Sequence, residues 1–100
     1  MYARMSRIAG LPPERIEQAR EYFERQELPA LEQQGGYQGV LVMVDRGDGR
    51  ATAITFWETL DDLKASDRAA DQARGATMEQ ASSEPSREPV VERYEVLIQK

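Results

Sequence analysis

The chain has 100 residues, with 13 basic and 18 acidic side chains for a formal charge of −5, and contains no histidine, cysteine or asparagine. Without imidazole or thiol it cannot build a thiolate zinc site, a histidine-ligated haem iron, a Ser-His-Asp triad, a cysteine nucleophile or a disulfide. Its eleven arginines are scattered and its only lysines are Lys64 and Lys100, so it lacks the clustered cations of a nucleic-acid module; its longest apolar run is five residues, against roughly 20 for a bilayer span.

Residues 2–9 alternate, with Tyr2, Arg4, Ser6 and Ile8 on one face and Ala3, Met5, Arg7 and Ala9 on the other, which predicts a strand. Gly10-Leu11-Pro12-Pro13 ends it, and proline is tolerated in the first turn of a helix. Ile16, Ala19 and Phe23 then recur at i, i+3 and i+7 among Glu14, Glu17, Gln18, Glu21 and Arg25, so one helical stripe faces a core. Pro29 removes a backbone donor and crowds the preceding turn, making residues 28–34 a kinked continuation or a separate short helix. Val40-Leu41-Val42-Met43-Val44 is apolar on both faces and predicts a strand covered on both sides. Residues 45–50 form a turn by composition, and residues 51–58 complete a hairpin with Ala53, Thr55 and Trp57 on one face and Ile54 and Phe56 on the other. Thr59 can cap a helix whose first turn is acidic and whose buried side is Leu60 and Leu63. A second helical start at Ser66 carries a small-residue stripe, Ala69, Ala70, Ala73, Ala76 and Thr77, that runs to about Ala81. Gly75 weakens that helix by ~1 kcal/mol relative to alanine. Residues 82–89 are a polar loop and residues 90–98 a last strand.

The order β-α-β-β-α-β predicts a ferredoxin-like α+β domain spanning residues 1–100, a four-stranded antiparallel sheet with both helices on one face. That leaves the other sheet face bare. The apolar run at residues 40–44 would expose a face and an edge in a monomer, so the expected state is a homodimer in which two sheets close on each other.

Gly36-Tyr37-Gln38-Gly39-Val40, a hairpin, and then Thr55-Phe56-Trp57-Glu58-Thr59-Leu60-Asp61-Asp62-Leu63 resemble the dimeric α/β-barrel domain of the antibiotic-biosynthesis-monooxygenase (ABM) type. The resemblance implies a homodimer whose sheets form a barrel, with a small-molecule cavity in each subunit between sheet and helices. It also implies one of several activities: cofactor-free oxidation of phenolic polyketides, haem degradation or quinol oxidation. The haem-degrading branch carries an asparagine where Ser6 stands, a tryptophan near Ser66 and a histidine near Ala76; none is present here. Trp57 matches the tryptophan at the strand end common in that fold.

Cofactor-free oxygenation asks little of a protein: an apolar slot for an electron-rich ring, hydrogen-bond donors or a cation to favour the phenolate, and exclusion of water. Ser6, Tyr22, Phe23, Tyr37 and Trp57 are the candidate lining of such a slot, and Arg4 and Arg93, with Arg7, the candidate phenolate-stabilising cations. Against this stand structural roles: Phe23 and Trp57 as core, and the strand arginines paired with Glu92 or Glu95 or set at a dimer rim. Arg46-Gly47-Asp48 spells an adhesion tripeptide but supplies what a hairpin turn requires, and a calcium loop from Asp45 fails because Gly47, Gly49, Ala51 and Phe56 occupy ligand positions. The aspartates at 61, 62, 67 and 71 form a solvated helix face, so no metal and no cofactor is expected. The N-terminus lacks the apolar centre of a signal peptide, which with the missing cysteines predicts a cytoplasmic protein. Two functions follow: a cofactor-independent monooxygenase acting on a small phenolic or quinol compound, or a non-catalytic dimeric barrel that binds a small apolar ligand or serves a structural role.

Overall fold

Alternation and β-branched content make four strands: β1 (Tyr2–Ile8), β2 (Tyr37–Asp45), β3 (Arg50–Trp57) and β4 (Val90–Glu95). They pair antiparallel in the order β2-β3-β1-β4. The computed structural model describes residues 1–80 and 90–100, with the backbone alone for residues 73–75 and 77–80. The expected polar loop at residues 82–89, the helix end near Ala81 and the side chains of Ala73 and Thr77 lie outside the described residues. The expected ferredoxin-like α+β arrangement is present, and within one chain the sheet stays open rather than closing into a barrel.

The first helical connection begins with a 3₁₀ turn at Pro13–Arg15 and continues through α1 (Ile16–Tyr22), a π turn at Phe23–Glu27 and α2 (Leu28–Glu32). The π turn resolves the kink expected at Pro29. Leu28 donates its N–H five residues back, to Phe23 O, and Pro29 falls in the first turn of α2, where its missing donor costs nothing. One extra residue in the turn also realigns the apolar stripe. A regular helix would follow Ile16, Ala19 and Phe23 with inward positions at 27 and 30, whereas Leu28 and Leu31 are the apolar residues available.

The second connection is α3 (Leu60–Ala65) and α4 (Asp67–Gln80). Thr59 caps α3: its Oγ1 accepts from Asp62 N–H at 3.1 Å and donates to Asp62 Oδ2 at 2.8 Å. The helices lie over the sheet face carrying Arg4, Ser6 and Ile8, and α1 packs on α4. Two buried clusters anchor this layer. Leu11, Ile16 and Ala19 pack with Ala51 near the hairpin turn. Leu31, Trp57 and Leu63 pack with Tyr2, Phe23 and Tyr37 at the opposite end.

Glycine is required where elements touch. Gly49 has φ +74°, and a Cβ there would lie 2.6 Å from Leu11 O, where the turn docks through the Leu11 N–H to Gly49 O bond of 3.0 Å. Gly36, at φ +78°, sits against the Asp62 carboxylate.

Two strands differ from expectation. β2 is an edge strand and begins earlier, with a bulge at Gln38, since Tyr37 pairs with Trp57 and Gly39 with Phe56. It is not covered on both sides: Leu41, Val42, Met43 and Val44 are all exposed, because little of the helical layer reaches the sheet's edge. β4 stops at Glu95; Val96 N–H still donates to Met1 O at 2.8 Å, and Leu97 and Ile98 beyond it are exposed.

Candidate functional site

Between the sheet and the α1–α2 connection lies a cavity of about 420 Å³. The pleat decides its floor. Residues facing the helices are Arg4, Ser6 and Ile8 on β1, Thr55, Ala53 and Ala51 opposite them on β3, and Val40, Val42 and Val44 on β2, and all line the space. Its roof is Leu11, Ile16, Ala19, Phe23, Leu28 and Leu31, with Ala70 from α4. The space exists because the floor is built from small and β-branched residues: Ala51 and Ala53 leave room that a larger side chain would fill.

The lining is asymmetric. At the hairpin end Ile8, Ala51 and Val44 make an aliphatic wall. At the other end Arg4 and Thr55 face each other across β1 and β3, with Ser6 one pleat further along. Arg20, Glu24 and Arg46 sit on the rim, where Glu17 accepts from Arg46 at 2.8 Å and Arg20 at 2.9 Å and ties α1 to the hairpin turn. The hydrogen bond from Arg46 and the charge of Arg20 hold the Glu17 carboxyl below the ordinary range.

Arg4 is buried, at 2% exposure, and its Nη2 donates to Leu63 O at 2.6 Å, Ser66 Oγ at 2.8 Å and Asp67 Oδ1 at 2.5 Å. Its guanidinium carbon lies 5.9 Å from the centre of the Trp57 ring. Asp67 Oδ1 also accepts from Arg93, 3.1 Å from Nη2. Burial pushes the Asp67 carboxyl up, but hydrogen bonds from Arg93 and Arg4 and their charges outweigh it and leave the pKa below its ordinary value. Behind Thr55, Trp57 is fully buried and donates Nε1–H to Thr55 Oγ1 at 3.0 Å, and Tyr37 meets the Trp57 ring edge-on at 6.0 Å. Burial, with the negative charge of Glu32, raises the Tyr37 phenol.

Of the residues singled out in the sequence, Arg4, Ser6 and Phe23 line the cavity. Tyr37 and Trp57 belong to the packed cluster behind Thr55, and Tyr22 hydrogen-bonds the Glu27 carboxyl, whose burial raises its pKa. Arg93 stands on β4, about half exposed, held by Asp67, and Arg7 pairs with Glu92 at 2.8 Å on the opposite sheet face. Thr55 is a polar lining residue not among those singled out in the sequence, although its place between Ala53 and Trp57 on one strand face pointed to it. Among the described residues no group of three carboxylates comes together to hold a metal ion.

The sequence matches no protein-family model and no curated protein. The fold, by contrast, matches solved structures over nearly its whole length. A monooxygenase from the ActVA-Orf6 gene of Streptomyces coelicolor, in complex with nanaomycin D, superposes with a TM-score of 0.72 at 8% identity, covering 99% of this chain and 92% of that one. A Nitrosomonas europaea protein assigned to the antibiotic biosynthesis monooxygenases gives 0.69 at 15% identity, over 98% and 100% of the two chains. SnoaB, a cofactor-independent oxygenase of Streptomyces nogalater in a substituted form, gives 0.66 at 12% identity, over 98% and 94%. The chain therefore has the ABM-like fold. Proteins of unknown function share it too.

Proposed function

We propose that the chain is an ABM-like cofactor-independent monooxygenase whose cavity takes a small phenolic or quinol ring compound. The observation that carries the reading is the cavity itself: about 420 Å³, aliphatic over most of its wall, with Arg4, Ser6 and Thr55 gathered at one end. Similarity of fold to a cofactor-independent oxygenase supports it.

In this reading the ring lies against Phe23 and the aliphatic floor, with its oxygen substituent toward Arg4 and Ser6. The Arg4–Asp67–Arg93 cluster, which keeps one net positive charge, favours the ionised form of an acidic hydroxyl or of the methylene beside a ring ketone; the proton leaves to water at the rim. The carbanion or phenolate passes an electron to O₂ and the two radicals combine. In an anthrone one oxygen atom becomes the new carbonyl on carbon and the other leaves as water with the two hydrogens of the oxidised methylene; in a phenol or dihydroquinone a ring C–H carbon becomes the carbonyl, and water takes that hydrogen and a hydroxyl hydrogen. No protein group changes its oxidation state, which suits a lining without thiol or imidazole. Arg93 acts through Asp67, whose carboxylate it shares with Arg4.

The working unit is a homodimer. Outside the helical layer, the sheet presents Met5, Ile54 and Leu41 in one cross-strand row and Phe56 and Tyr94 in the next. Such a face is covered by a second copy.

The test is oxygen uptake with a panel of dihydroquinones and anthrones. Uptake above the protein-free rate that is lost in Ala53→Phe, which fills the cavity floor, supports the oxygenase. Uptake at the protein-free rate overturns it. Saturable binding of the same compounds without uptake would favour the other reading, a dimeric barrel that holds an apolar ligand and does no chemistry.

A further inference from the structure

One donor at the polar end of the cavity has its direction set by the fold. Trp57 is 0% exposed, packed among Leu31, Leu63 and Tyr37, so its indole cannot turn, and its Nε1–H is spent on Thr55 Oγ1 at 3.0 Å. A hydroxyl offers one hydrogen and two acceptor lone pairs. With a lone pair engaged by the indole, the Thr55 hydrogen points away from Trp57, and no carbonyl or carboxylate among the described residues accepts it. Thr55 lines the cavity, between Val40 on one neighbouring strand and Arg4 on the other.

We propose that Thr55 is a specificity-determining residue that donates its hydroxyl hydrogen to an acceptor oxygen of a ring ligand, a ring carbonyl or phenolate, and that Trp57 is the positioning residue that orients it. The inference rests on the reading of the cavity as the ligand site and adds what that site selects. The aliphatic floor beside Thr55, Ala53 with Val40 and Val42, accepts a hydrocarbon ring and its oxygenated analogue equally, and Arg4 on the other side is common to every variant compared. A directed donor separates the two, because an oxygen placed there without a partner loses its hydrogen bond to water and gains none.

The experiment compares two rigid probes of the same shape, 9-fluorenone and fluorene, by calorimetric titration of the full chain and of Thr55→Val, Thr55→Ser and Trp57→Phe, each checked for native circular dichroism. Expressing each variant as its ratio of affinities relative to wild type cancels the difference in water solubility of the probes. Thr55→Val keeps the shape and removes the hydroxyl; it should weaken fluorenone by about tenfold and leave fluorene within about twofold. Thr55→Ser should restore the wild-type ratio. Trp57→Phe keeps a ring in the core but frees the hydroxyl to rotate, and should weaken fluorenone by about threefold with fluorene unchanged. An unchanged ratio in Thr55→Val overturns the proposal while leaving the cavity reading intact, as does an equal loss for both probes, which would make Thr55 a packing residue. Failure of the wild type to bind either probe overturns the cavity reading and this proposal with it.

Discussion

Asp67 Oδ1 lies 2.5 Å from Arg4 Nη2, so the first residue of α4 neutralises a guanidinium that β1 carries into the core. Removing one partner of such a pair strands the other charge away from water, at a cost of about 3–5 kcal/mol when both are fully buried. Asp67 is 32% exposed, so Asp67→Asn should lose less, about 2–3 kcal/mol, in urea denaturation at pH 7. The pH dependence has a definite sign. The folded pKa of Asp67 is below its ordinary 3.8, so the pair's stabilisation is complete above that value and disappears as pH falls through the folded one. The gap between wild type and Asp67→Asn should therefore be constant from pH 7 to about 5 and close below about pH 4. A gap that persists undiminished at pH 3 would show that the carboxylate charge is not what holds Arg4.

The π turn gives a sharper test of the helical layer. Deleting Gln26, an exposed residue inside Phe23–Glu27, turns that segment into regular helix and brings Leu28 and Leu31 to the inward positions after Phe23. The deletion should be tolerated, within ~1 kcal/mol of wild type by thermal denaturation. Deleting Glu21 instead, within regular α1, rotates everything beyond it by about 100° and turns Phe23 away from Ile16 and Ala19. That variant should lose several kcal/mol. Equal losses in the two would mean that the π turn does not serve the register of the stripe.

Period-2 and period-3.6 patterns made β1, the hairpin, α1 and the Thr59 cap legible in the sequence, because each is decided by residues close together in the chain. The π turn was half legible. Pro29 marked the irregularity, but whether the chain bends or widens depends on where Leu28 and Leu31 must point, which the sheet decides. Coverage of the run at residues 40–44 was not legible from one chain, since an edge strand and a central strand can carry the same apolar letters. At the site, Phe23 came from the helical stripe, whereas the alternation of β1 left open whether the face of Arg4 and Ser6 or that of Arg7 turned inward. Tyr37 and Trp57 show the limit of reading aromatics: they share the cavity side of the sheet, yet stand at the end of their strands where Leu31 and Leu63 close over them. The Arg4–Asp67 pair spans 63 residues, and no local spacing announces it.

Docking of the hairpin turn onto the β1–α1 segment depends on Gly49. With φ at +74° and Leu11 O 2.6 Å from where a Cβ would stand, Gly49→Ala combines a strained backbone with a clash against backbone that cannot step aside. It should cost about 2–3 kcal/mol in denaturant unfolding, of which ~1 kcal/mol is the conformational penalty alone. Gly47→Ala, in the same turn with only the movable Asp45 carboxylate nearby at 3.2 Å, should cost less than 1 kcal/mol by comparison. Reversal of that order would place the rigidity of the turn elsewhere.

The proposed homodimer rests on the apolar outer face of the sheet. Leu41 is 48% exposed and Met43 44% in the single chain, and Leu41, Ile54 and Met5 lie side by side across β2, β3 and β1. Exposed positions on a sheet tolerate charge without loss of the fold, whereas the centre of a sheet-to-sheet interface does not. Replacing both Leu41→Glu and Met43→Glu should leave the circular dichroism of the chain unchanged and convert a dimer to a monomer in sedimentation velocity at micromolar concentration. If the wild type already sediments as a monomer there, two sheets do not close on each other through this face. If the doubly substituted chain remains dimeric, the contact lies on another surface.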